Sequence, residues 1–79
     1  MKFKFDLYRE DGVSYIGQQM AEVPRIAAQN ILSFHFTLGG FDTYKYQLYI
    51  NEVDENTFEV YFLEKKYWLM KNGHKPPKD

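Results

Sequence analysis

Residues 44–63 read YKYQLYINEVDENTFEVYFL, and the fold of the chain turns on this stretch. Tyr44, Tyr46, Leu48 and Ile50 alternate with Lys45, Gln47, Tyr49 and Asn51, while Phe58, Val60 and Phe62 alternate with Glu59, Tyr61 and Leu63. A repeat of two is the mark of strands with one buried face, so two strands joined by an acidic turn are predicted. Residues paired across an antiparallel ladder share a face. The strong apolar positions are all even, so the numbers in each pair must sum to an even value. The connection then holds an odd number of residues, either Glu55-Asn56-Thr57 or the five from Val53 to Thr57. Asn56 tolerates the left-handed conformation that such a loop needs.

Toward the N-terminus, Phe3, Phe5 and Leu7 alternate with Lys2, Lys4, Asp6 and Tyr8, and the Asp11-Gly12 pair that follows is a strong hairpin signal. Pairing across Asp11-Gly12 sets Leu7 opposite Ile16, Phe5 opposite Gln18 and Phe3 opposite Met20, with Tyr8 against Tyr15 on the reverse face. Gly17 marks a bulge or a close approach of another backbone. From Glu22 the period lengthens. Pro24 suits a first helical position, Ala27, Ile31, Phe34 and Leu38 recur along one helical face, and Gly39-Gly40 supplies the stop.

Beyond the second hairpin the alternation breaks at Lys65-Lys66, which predicts a strand to about Leu63 and then a short irregular or helical end. The tail from His74, with Pro76-Pro77, reads as extended and flexible. The expected architecture is α+β: two β-hairpins forming an antiparallel sheet on a single α-helix, in the order ββαββ. Residues 1–72 make the single domain and residues 73–79 a flexible basic tail.

A chain of 79 residues without Cys has no disulfide to staple it, and seven Phe, seven Tyr and one Trp must supply the core. The formal charge of −1 conceals a segregation. From residue 5 to residue 64 ten acids stand against Arg9, Arg25 and Lys45, a balance of −7, whereas both ends of the chain are basic. An acidic body disfavours phosphate-backbone binding, which needs clustered Lys and Arg. No apolar run approaches the roughly 20 residues of a membrane span, and no signal-peptide core opens the chain, so a cytoplasmic location is expected.

No catalytic, cofactor or metal constellation stands out. His35 flanks an apolar helical stripe and His74 lies among lysines, so neither has the partners of a nucleophilic or metal site. Glu52, Asp54 and Glu55 fall at a turn, the place for solvated charge, and Gly39-Gly40 follows a helix where a phosphate cradle would precede one. One local likeness exists. Tyr15-Ile16-Gly17-Gln18 resembles the second half of the signature of the GIY-YIG endonuclease domain, with Arg25 at about the interval of that family's helix Arg and Glu64 similar to its metal-binding Glu. The resemblance implies a divalent-metal nuclease and a helix within residues 57–72. No GIY triplet precedes the motif, and Phe5 stands where its first tyrosine is expected.

A sheet of this pattern places Tyr8, Tyr15, Tyr49 and Tyr61 on the face opposite the helix. Base-stacking platforms interleave such rings with basic residues, whereas the charges here are largely acidic. The expectation is therefore a non-catalytic protein-binding module of inhibitor or adaptor type, such as mobile genetic elements carry. Its contact residues are Tyr8, Tyr15, Tyr49 and Tyr61 with Glu52, Asp54, Glu55 and Glu59, and its partner is another protein with a basic surface. A homodimer through an edge strand is a second route to association.

Overall fold

The computed structural model describes residues 1–37 and 47–77. Strands β1 (Phe3–Arg9) and β2 (Tyr15–Ala21) are followed by helix α1 (Pro24–His35), then by β3 (Leu48–Asp54), β4 (Thr57–Phe62) and β5 (Lys65–Lys71). The order ββαββ holds as far as Phe62, and a fifth strand follows it. The strands form one sheet in the order β2-β1-β5-β4-β3, with every neighbouring pair antiparallel.

β5 is the largest departure from the sequence reading, which expected an irregular or helical end after Leu63. Alternation stops at Lys65-Lys66 because β5 is a central strand covered on both faces, and its residues Tyr67, Trp68, Leu69 and Met70 are all buried. Central strands read as apolar runs rather than as alternations. The turn before it was equally hidden: Leu63 and Glu64 both carry positive φ (51° and 64°), as a two-residue type I′ turn requires, without the Asn or Gly that normally announces one.

The second hairpin keeps the required parity. Leu48 faces Phe62, Ile50 faces Val60 and Glu52 faces Phe58, which leaves the five residues 53–57 between the last of these partners. Within that connection Asp54 pairs with Thr57 after a bulge, so the odd residue enters as the bulge at Val53. Asn56 N–H donates to Asp54 Oδ1 at 2.8 Å, which fixes the turn.

In the first hairpin Tyr8 pairs with Tyr15 as expected, but the register then slips by one. Leu7 faces Gly17, Phe5 faces Gln19 and Phe3 faces Ala21, in place of Ile16, Gln18 and Met20. The extra residue, Ile16, makes a β-bulge, and a one-residue slip exchanges the faces of the strand beyond it. Gly17 is thereby turned toward α1, where a Cβ at its position would lie 3.2 Å from Ile31 Cγ2.

Helix α1 packs chiefly on β2, with further contacts on β1. Its buried residues are Ala27, Ala28, Ile31 and Leu32. Phe34, expected in this stripe, is 89% exposed, because at 3.6 residues per turn it points about a quarter-turn away from the centre of the buried arc. The helix ends with Phe36 N–H bonded to Leu32 O and Thr37 in the left-handed region (φ 54°); Leu38, Gly39-Gly40, Tyr44 and Tyr46 lie outside the described residues. Beneath α1, Phe5, Leu7, Phe58, Val60, Phe62, Tyr67 and Leu69 complete the core.

The face opposite α1 is covered at its centre as well. Asp6, Thr57, Trp68 and Met70 share that face by register and are all buried. Residues 73–77, expected as a loose tail, supply contacts there: Pro76 is buried, and a Cβ on Gly12 would lie 2.8 Å from Pro77 O.

Leu69 has no accessible surface and faces α1 from the middle of the sheet, so Leu69→Ala should lower the unfolding free energy by about 2–5 kcal/mol in urea denaturation. Gly17→Val, which forces atoms against Ile31, should cost about 1–3 kcal/mol in the same measurement.

Candidate functional site

The sheet register brings all four predicted tyrosines to the face opposite α1. Tyr15, Tyr8, Trp68, Glu59 and Asn51 form one row across five strands, and Lys66, Tyr61 and Tyr49 form the next. The tyrosines stand as two pairs. Tyr8 and Tyr15 meet edge to face with ring centroids 5.4 Å apart, and Tyr49 and Tyr61 meet tilted at 6.2 Å.

Between the pairs lies a network that residue types alone did not announce. Lys66 Nζ lies 2.9 Å from Glu59 Oε2 and 4.0 Å from the centroid of the Trp68 ring, and Asn51 Nδ2 donates to Glu59 Oε1 at 2.9 Å. The hydrogen bond from Lys66 holds the Glu59 carboxyl below its ordinary range, aided by Asn51, and the same bond raises the Lys66 ammonium. Glu59, predicted as a contact residue, is therefore committed inside the sheet face. Its signal in the sequence was the spacing of Lys66 and Trp68 two apart, which the missed strand concealed.

The acidic turn is likewise divided. Glu52 pairs with Phe58 and so belongs to the α1 side of the sheet, not to the tyrosine face. Asp54 accepts the Asn56 N–H, a bond that lowers its pKa with help from Thr57, so its carboxylate builds the turn. Glu55 is exposed at the tip. At the other end of the face, Tyr15 donates its hydroxyl to Asp6 Oδ1 at 3.0 Å. Loss of hydration, followed by this bond and the Asp6 charge, pushes the Tyr15 phenol up to about 12.

Exposure distinguishes the two tyrosine pairs. Tyr49 is 65% and Tyr61 39% exposed, with Val53 at the bulge and Leu63 in the β4–β5 turn also open to solvent. Tyr15 is 53% exposed, but Tyr8 is half-buried beside Trp68.

The nuclease-like set does not assemble. Tyr15 is on the tyrosine face, whereas Arg25 projects from α1 on the other side and donates from Nη1 to Leu48 O at 2.9 Å. Glu64 sits in the β4–β5 turn, and residues 57–72 contain strands β4 and β5 in place of the helix that the resemblance implies. Among the described residues no group of three or more His, Asp or Glu could hold a metal ion, and no helix is long and apolar enough to cross a membrane. Comparison with protein-family models, curated proteins and solved structures yields no match.

Because native Tyr15 holds its proton more tightly than an unfolded phenol of ordinary pKa near 10, the stability linked to it is complete below about pH 10 and is lost as pH rises toward about 12. An NMR titration of the Tyr15 ring should show its midpoint near 12, and Asp6→Ala should draw that midpoint back toward 10.

Proposed function

We propose that the protein is a small non-catalytic binding module, of inhibitor or adaptor type, that engages a basic surface of a partner protein through its tyrosine face. The observation that carries this reading is the Tyr49–Tyr61 pair. Two rings are held 6.2 Å apart on adjacent strands and remain 65% and 39% exposed, with Leu63, two residues beyond Tyr61, also exposed. Tyrosines on a sheet are rigid and amphipathic, and such rings are enriched among residues that dominate binding energy.

The contact set is narrower than sequence reading suggests. Tyr49 and Tyr61 form the centre, Glu55 and the open edge of the β3–β4 turn provide negative charge, and Tyr8 and Tyr15 extend the face. Glu59 acts indirectly, by holding Lys66 across Trp68. Acidic charge at the rim steers a basic partner and makes association salt-dependent. The partner belongs to the same aqueous compartment, taken to be the cytoplasm. β3 and β2 form the edges of the sheet among the described residues, and a second copy pairing along one of them is the alternative mode of association.

The test is affinity capture with mass spectrometry, comparing the natural chain with Tyr49→Ala/Tyr61→Ala. A partner captured specifically by the natural chain should bind the variant at least about thirtyfold more weakly, equivalent to roughly 2 kcal/mol, and its retention should fall with added salt. Undiminished capture by the double variant would remove the tyrosine pair from the interface.

A further inference from the structure

The C-terminal segment marks out a second part of the same face. β5 ends in a tight reversal at Asn72 and Gly73, both with positive φ, and His74 N–H returns to Lys71 O at 3.3 Å. The segment starts beside the β3–β4 turn, because Lys71 N–H donates to Asn56 O at 2.9 Å. Three residues after His74, Pro77 O lies against Gly12, and Pro76 is buried. Residues 74–77 therefore run from the β3–β4 turn to the β1–β2 turn, the interval that Met70 and Trp68 occupy on this face of β5. Both side chains are buried although α1 covers only the opposite side.

The far wall of this channel is the β1–β2 connection. Trp68 Nε1 donates to Glu10 O at 3.2 Å, which holds residues 10–13 over the face, and Asp11 binds the N–H groups of Val13 and Ser14 at 2.8 Å each. Gly12 is required at its position twice over: its φ is +73°, and a Cβ would strike Pro77 O. The segment contains two prolines, of which Pro76 is buried, carries the exposed His74 and Lys75, is followed in the sequence by Lys78, and ends against Gly12. Prolines pre-set an extended conformation that docks on aromatic side chains with little ordering cost, and Tyr8, Tyr15 and Trp68 line up beside the channel.

We propose that this channel is a docking site for a basic, proline-containing extended segment of a partner protein, and that the chain's own residues 74–77 occupy it as an intramolecular competitor. The proposal rests on the binding-module reading and specifies what such a partner would present. A tethered occupant competes at high effective concentration, so a partner segment of the same chemistry binds weakly until the tail is released.

The test uses the full chain and, as probe, a synthetic peptide of sequence His-Lys-Pro-Pro-Lys-Asp. Pro76→Gly/Pro77→Gly should loosen the tail without touching the sheet. Trp68 emission should shift to the red in this variant, the peptide should reverse the shift, and its apparent affinity should be at least roughly tenfold higher than for the natural chain. His-Lys-Ala-Ala-Lys-Asp should fail to reverse it. Gly12→Ala should evict the tail and refuse the peptide alike, with far-ultraviolet circular dichroism unchanged as evidence of folding. Unchanged Trp68 emission in the double glycine variant, equal peptide affinity for both chains, or no peptide binding to the opened variant would each overturn the proposal. The titration needs no natural partner, so its failure leaves the Tyr49–Tyr61 interface standing, and failure of that interface leaves the titration informative.

Discussion

Strand β5 bonds to β1 along one edge and to β4 along the other, and the remaining features of the fold depend on that insertion. Each hairpin alone would be a two-stranded ribbon, marginal in water. β5 joins them into five strands and contributes Tyr67 and Leu69 to the side beneath α1 and Trp68 and Met70 to the other. Four consecutive buried residues in a chain of this size form a large part of its apolar interior. The pairing of β1 with β5 also closes nearly the whole length of the chain, a non-local contact whose loop-closure cost slows folding.

The two faces of the sheet are finished by different means. Beneath α1 the packing is aliphatic and aromatic, with small Ala27 and Ala28 at the buried face of the helix. Opposite it, rings and charges share the surface, and the charges are matched locally: Glu59 to Lys66 and Asn51, Asp6 to Tyr15 and Lys4. No buried side-chain nitrogen or oxygen among the described residues lacks a partner. Matched charges and the cross-strand tyrosine contacts fix these rings in place on the sheet.

The second hairpin was legible in residues 48–63 because one of its faces is buried and the other wet, which leaves a clean alternation and a parity rule that the bulge at Val53 satisfies. β5 was illegible for the opposite reason. Buried on both faces and entered by a Leu63-Glu64 turn, it offered neither alternation nor turn chemistry. The first hairpin lies between these cases: Asp11-Gly12 located the turn, but nothing in the residue types shows that Ile16 bulges, and every pair beyond Tyr8–Tyr15 shifts in consequence. The face shared by the four tyrosines could be read from alternation. The network of Lys66, Glu59 and Trp68 could not, since it depends on the strand that was missed. Nor could the seating of Pro76, because a polar, proline-bearing terminus looks the same whether it is docked or free.

Native-state amide hydrogen exchange tests the place of β5 most directly. With β5 at the centre of the sheet, amides of residues 67–70 should be among the slowest in the chain and should exchange only through global unfolding, with the same denaturant dependence as the amides of β1 and β4. Exchange of residues 67–70 at the rate of a fraying terminus, while β3 and β4 stay protected, would contradict the inserted strand and the two-faced sheet built on it.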